Sequence, residues 1–149
     1  MKSEVQIFRD YIRQRGLRRT PEREFILKEI FEIHGHFDVD GLYLNLRQKG
    51  VKVSKASIYR ALPLFIDCGL VREVDFSDGH WHYEHIYGHT HHSHLRCLGC
   101  GEVLEFEEPA LKSLEEHLAR QYGYLIKGHH LQVQGYCAAC KPTAASGPR

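Results

Sequence analysis

Apolar residues Val5, Ile7, Phe8, Tyr11 and Ile12 recur near a 3.6-residue period between Glu4 and Gln14, which predicts an amphipathic helix ended by Gly16. Thr20-Pro21-Glu-Arg23 predicts a second helix start. Thr20 serves as N-cap, Pro21 occupies the first helical position, where its missing N–H is no loss, and Ile26, Leu27, Ile30 and Phe31 form the buried stripe. After a break at His34-Gly-His36, Asp38 caps a third helix with Val39, Leu42, Tyr43 and Leu46 inward, ending near Lys49-Gly50. Ser54 opens a fourth, with Ile58, Ala61, Leu62 and Phe65 on one face. Pro63 cannot donate to the Tyr59 carbonyl, so a kink or re-start is expected there.

Beyond Gly69 the period changes to two. Leu70 to Phe76 alternates like a strand, Ser77-Asp78-Gly79 reads as a turn, and His80 to Glu84 returns. Further strands are expected at Leu95 to Cys97, at Glu102 to Phe106 and at Gly128 to Tyr136, with an amphipathic helix from Pro109 to Tyr122 on Leu111, Leu114, Leu118 and Tyr122. The order predicts an α+β protein in which an N-terminal winged helix-turn-helix domain precedes a small α/β dimerisation domain with a four-cysteine zinc site. The boundaries read as 1–84 for the winged helix, 85–88 for a hinge, 89–141 for the second domain and 142–149 for a disordered tail. Strands in so small a second unit need covering, and edge-to-edge pairing of two copies, a homodimer, is the economical solution.

Charge sharpens this division. The net charge of +1 conceals thirteen Lys/Arg against eight Asp/Glu in residues 1–60, a balance of +5, and seven against eleven in residues 61–149, a balance of −4. A basic half suits a polyanion and an acidic, histidine-rich half suits cations. On the fourth helix, Lys55, Ser57, Tyr59 and Arg60 lie away from the apolar face. Arg can read guanine bidentately and Tyr can contact a thymine methyl, so this face is the candidate DNA reader; the alternative is a helical bundle with a solvated basic face. The N-terminus has no apolar run of the kind a signal peptide carries, and no stretch approaches membrane-spanning length, so a cytoplasmic protein is expected.

Two metal chemistries stand out. Cys97/Cys100 and Cys137/Cys140 form two CxxC pairs with 36 residues between them, a spacing that presents four thiolates to one structural Zn(II) better than it serves a single redox dithiol. Cys68, in an apolar stretch, reads as a packing residue. His92 and His94 alternate in an extended segment and so share one side, with Glu84 and Glu105 near enough in plausible strands and His36 contributed by the first domain. Such an imidazole and carboxylate set suits Fe(II), Mn(II), Ni(II), Co(II) or Zn(II), and not Cu(I).

These motifs together resemble the ferric uptake regulator family of metal-sensing bacterial repressors, over roughly residues 10–140. The carriers are Gly16-Leu-Arg-Arg-Thr-Pro-Glu-Arg23, His36 followed by Leu42-Tyr43, Ala56-Ser-Ile-Tyr-Arg-Ala-Leu62, His92-Ser-His94-Leu-Arg-Cys97-Leu-Gly-Cys100-Gly, Glu105-Phe106 and Gly135-Tyr-Cys137-Ala-Ala-Cys140. The resemblance implies repression of target genes when a metal corepressor is bound, with structural zinc on Cys97, Cys100, Cys137 and Cys140. It places the regulatory ion on His36, Glu84, His92, His94 and Glu105, and base reading on Tyr59 and Arg60, with Arg18 as a minor-groove or phosphate contact. Glu84 stands one residue further from His94 than the family pattern, which leaves His85 as a substitute. An additional metal site of some members falls on His91, Ser93, Lys112 and His129, so it is expected to be absent or rebuilt with Glu107 or Glu108.

The resemblance ranks Fe(II) first, because the peroxide-sensing branch typically carries aspartate where Glu105 stands and the zinc-sensing branch adds a cysteine near the wing, where residues 71–96 have none. Peroxide sensing through bound iron comes second, and a manganese, nickel or zinc sensor third. The expected partner is double-stranded DNA with an AT-rich pseudo-palindromic operator. The rival class is a metalloenzyme, since His/Glu ligand sets also build hydrolases and oxygenases. The chain shows no second catalytic pair, nucleophile elbow or phosphate loop, so no enzymatic activity is expected; metal storage would leave the Tyr-Arg helix unexplained.

Overall fold

The computed structural model describes residues 1–88 and 92–142 and divides into two compact units, Met1–Thr90 and His91–Arg149. The N-terminal unit packs four helices, α1 (Glu4–Gln14), α2 (Pro21–Glu32), α3 (Val39–Gln48) and α4 (Lys55–Asp67), against an antiparallel hairpin of β1 (Val71–Asp75) and β2 (Trp81–His85). Each start is capped as its sequence requires. Ser3, Thr20, Asp38 and Ser54 accept the backbone N–H groups of Gln6, Arg23, Gly41 and Ser57, which satisfies donors that a helix end leaves open. Phe8, Ile26, Leu27, Ile30, Leu42, Ile58, Leu62 and Phe65 are buried in one core, with the Phe8 and Phe65 rings edge to face at 4.9 Å.

Two details depart from the sequence pattern. α4 runs through Pro63 without a re-start. The carbonyl that Pro63 deprives belongs to Tyr59, whose side chain is 57% exposed, so this stretch of α4 faces water and the lost hydrogen bond can be replaced by solvent. Phe37 adds a short third rung to the wing: its N–H and C=O both bond to Tyr83, at 2.8 and 2.7 Å, tying the α2–α3 connection to β2.

α2 buries two carboxylates as well as its apolar stripe. Glu24 receives Arg9 at 2.9 and 2.8 Å and Arg19 at 2.7 Å, and Glu29 receives Lys49 at 2.7 Å. Removing a carboxylate from water is offset only when such charge-assisted hydrogen bonds replace its hydration.

In the C-terminal unit β3 (Ser93–Cys97) is central, antiparallel to β4 (Val103–Phe106) and parallel to β5 (Gln132–Gly135), with α5 (Pro109–Tyr122) as the crossover. β5 is shorter than the alternation from Gly128 to Tyr136 predicts, because its partner β3 offers only the registers from His94↔Gln132 to Cys97↔Gly135. Conversely β3 begins two residues earlier than expected, at Ser93, where it finds Phe106. The tail residues 143–149, read from the sequence as disordered, lie outside the described residues.

The Arg9 and Arg19 guanidinium groups hold the Glu24 carboxyl well below its usual range, at about 2. A depressed pKa contributes stability that is complete above the usual carboxylate range and is lost as pH falls towards about 2. Glu24→Gln should therefore cost on the order of 2 kcal/mol at pH 7, and the deficit should shrink below about pH 4. Urea unfolding followed by circular dichroism across this range checks it.

Candidate metal centres and DNA-reading helix

The four cysteines converge in the C-terminal unit. Cys97 ends β3, Cys100 follows in the turn to β4, and Cys137 and Cys140 lie in the turn after β5, so the parallel β3–β5 pairing brings the two CxxC segments side by side. One sulfur from each lies within 4.8 Å of the others, and the Cys100 and Cys137 sulfurs are 4.0 Å apart. A tetrahedral zinc with bonds of about 2.3 Å has sulfurs roughly 3.8 Å apart, so this spacing fits the ion and is far from a disulfide.

The backbone serves the same end. N–H groups of Cys100 and Cys137 pull the Cys97 thiol down to about 6, the latter donating to its sulfur at 3.3 Å. Hydrogen bonding with the Cys137 and Cys97 sulfurs pushes the Cys140 thiol up to about 12. A divalent ion held by all four sulfurs would displace whatever protons the set carries. Gly99 belongs to the site as well: a Cβ there would stand 2.7 Å from Cys140 Cβ and 2.8 Å from its sulfur. Cys68 is different. It is half-buried, burial pushes its thiol up to about 11, and it points at the Phe65 carbonyl, as a packing residue would.

A second donor set surrounds β3. The antiparallel register places His94 opposite Glu105, with His94 Nε2 4.0 Å from Glu105 Oε1, and His92 two residues earlier faces Glu107 at 3.7 Å. His94 is fully buried and His92 partly so. Glu107 beside His92 was not foreseen, although the constant register sum of an antiparallel pair carries that signal. In the N-terminal unit, Glu84 is buried on β2 and held by Arg72 across the hairpin, a partner the sequence reading missed. His85 turns the other way, bonding the Ile33 carbonyl at 2.9 Å and stacking on Phe31 at 4.6 Å. His36 packs edge-on against Phe76 at 4.7 Å and lies 5.5 Å from the His82 ring.

Of the additional set, His91 lies outside the described residues, and Ser93 is buried. His129 Nδ1 meets Glu115 on α5 at 2.8 Å, one helical turn beyond Lys112.

On α4, Tyr59 and Arg60 are exposed. A chain of hydrogen bonds from Ser54 to Ser57 (3.0 Å) and from Arg60 to Ser57 (3.3 Å) lays the guanidinium along the helix. Lys55 is ion-paired to Asp40 at 2.8 Å, so a phosphate would have to compete with that carboxylate. Arg18 is exposed in the α1–α2 connection, where its carbonyl accepts from Arg23 at 2.8 Å.

Cys100→Ser should lose the tightly held zinc, because a closed four-thiolate site has no spare ligand. Gly99→Ala should weaken zinc retention at least about tenfold through the clash with Cys140. Competition with a chromogenic chelator measures both; a tightly held zinc in Cys100→Ser would contradict the site.

The family model described as the ferric uptake regulator family matches residues 14–134. The ferric uptake regulation protein of Neisseria meningitidis serogroup B is 36% identical over 132 residues, covering 87% of this chain and 90% of its own. The crystal structure of the Vibrio cholerae ferric uptake regulator is 33% identical with a TM-score of 0.66, over 85% of this chain and 96% of that one. A zinc-bound manganese uptake regulator is also 33% identical, with a TM-score of 0.58, over 87% and 98%. Matches across both units, together with a four-cysteine cluster that fits zinc, show that the chain belongs to the ferric uptake regulator family of metal-responsive, DNA-binding transcription regulators.

Proposed function

We propose that this protein is an Fe(II)-responsive repressor of iron-homeostasis genes that binds an AT-rich pseudo-palindromic operator as a homodimer. The observation that carries the reading is the separation of two donor chemistries: a closed four-thiolate cluster suited to zinc, and a buried imidazole beside a carboxylate, His94 and Glu105. The regulatory ion takes His36 and Glu84 from the N-terminal unit and His92, His94 and Glu105 from the C-terminal unit. An ion drawing on both units couples metal occupancy to the placement of the DNA-reading helices. Linkage then requires that whatever the ion gains in the DNA-binding form reappears as tighter DNA binding. Raising a form populated at about 1% to about 99% takes about 5.5 kcal/mol of differential affinity, within reach of a multi-ligand site.

Equal identity to a ferric and a manganese regulator leaves the metal to the donor set. Glutamate at 105 favours iron over the peroxide-sensing branch, and manganese is the second reading. The dimer is supported by the surface of the C-terminal unit. α5 buries none of its residues in the single chain, and Leu104, Leu114, Tyr122, Val133 and Tyr136 are exposed, which is more apolar surface than one small unit leaves to water. Tyr59 and Arg60 read bases, Ser57 orients Arg60, and Arg18 and Lys55 meet phosphate. No helix among the described residues is long and apolar enough to cross a membrane.

The test is anaerobic fluorescence anisotropy on a labelled AT-rich palindromic duplex, titrated with Fe(II) and, separately, Mn(II). His36→Ala should remove at least a tenfold Fe(II)-dependent gain in DNA affinity while the dimer mass and one zinc per chain persist. Full metal response in that variant would overturn the coupling. Arg60→Ala should weaken binding by about 1–3 kcal/mol at any metal concentration.

A further inference from the structure

The turn between β1 and β2 gathers three donors that the reading above does not use. Ser77 and Gly79 both adopt positive φ, 58° and 93°, and Ser77 N–H bonds Asp75 Oδ1 at 2.7 Å. This sharp reversal folds Asp78 back over the start of β2. There, His80 stands just before β2 and His82 within it, and both rings face Asp78. Asp78 Oδ2 is 2.6 Å from His82 Nε2, Asp78 Oδ1 is 3.7 Å from His80 Nδ1, and the two imidazole rings are 4.5 Å apart. One donor atom from each of the three lies within 4.8 Å of the others.

The second ring nitrogen of His80 supplies an independent observation. His80 Nε2 is 3.1 Å from Asp38 Oδ2, while Asp38 Oδ1 caps α3 by accepting from Gly41 N–H at 2.7 Å. A metal-bound histidine characteristically donates its remote N–H to a carboxylate, which fixes the tautomer and makes the other nitrogen a better ligand. Asp38 is that carboxylate, and it is itself held by the start of α3.

We propose that Asp78, His80 Nδ1 and His82 Nε2 form a divalent-cation site in the wing, with Asp38 orienting His80. Two imidazoles and one carboxylate select a borderline ion such as Co(II), Ni(II) or Zn(II) over Mg(II) or Ca(II), and three protein ligands leave at least one position to water. The bound ion turns the three-ligand set from a charge of −1, with neutral histidines, to +1. The groove it borders is lined by Asp38, Asp40, Tyr59, His80 and Trp81, so the added charge lies beside the Tyr59 face of α4. The site stands on the turn's own geometry, whatever metal the regulator senses.

Trp81, the single tryptophan of the chain, lies between the two histidines and is 53% exposed, which gives a local reporter. The experiment titrates the full-length, zinc-loaded protein with Co(II), a paramagnetic ion that quenches nearby indole emission. Saturable quenching of Trp81 is expected, shifted at least tenfold to higher Co(II) in His80→Gln and in Asp78→Asn, and retained in His94→Ala. Asp78 and His80, the two substituted positions, are exposed, and two separate variants guard against one that misfolds. Unchanged midpoints in both wing variants, or quenching abolished by His94→Ala and retained in them, would overturn the proposal. The hydrogen-bonded turn would then be structural only, and the test of the regulatory ion on DNA would stand unaffected.

Discussion

The convergence of four sulfurs at the end of β3 and β5 is the constraint on which the C-terminal unit depends. Among its described residues only Ser93, His94 and Cys97 are buried, and two of these are polar. A three-stranded sheet and one helix without an apolar core of their own cannot offset the entropy of ordering them. Zinc across Cys97, Cys100, Cys137 and Cys140, which the cluster fits, would supply the missing cross-link, since binding energy at a site absent from the unfolded chain is folding energy. The exposed leucines, valine and tyrosines of β4, α5 and β5 make a second copy of the chain the natural remaining cover.

The N-terminal unit solves the opposite problem. It has a full apolar core, so its buried charges must be neutralised in place, and each buried carboxylate is: Glu24 by Arg9 and Arg19, Glu29 by Lys49, Glu84 by Arg72. The first two lock α2 to its neighbours. Glu84 is held by Arg72 across the hairpin, and on the proposed reading the same carboxylate would also serve the regulatory ion. On the proposed reading, thiolates for one ion and imidazole with carboxylate for the other would keep the structural and switching roles chemically apart, because softer sulfur ligands suit zinc while the mixed set suits an exchangeable first-row metal.

Much of this was legible in the residues. Ser3 aside, the helix caps Thr20, Asp38 and Ser54 announced themselves, and α1 and α5 ran over the expected residues, because capping and period act locally. Apart from the Ser3 cap, the misses are non-local. Pro63 sits unbroken in α4 because packing of Ala61, Leu62 and Phe65 outweighs one hydrogen bond, the pairing of Phe37 with Tyr83 joins residues far apart in sequence, and β5 is cut to the length of β3. At the sites, cysteine spacing foretold the cluster, yet Glu107 beside His92, Arg72 on Glu84 and Glu115 on His129 required the register and the helix phase.

The most direct measurement is anaerobic selection of genomic DNA fragments by the zinc-loaded protein, with and without Fe(II), at near-physiological salt. The account predicts one AT-rich palindromic class, recovered only with Fe(II). Equal, sequence-blind recovery in both arms, of the kind phosphate contacts alone produce, would contradict it.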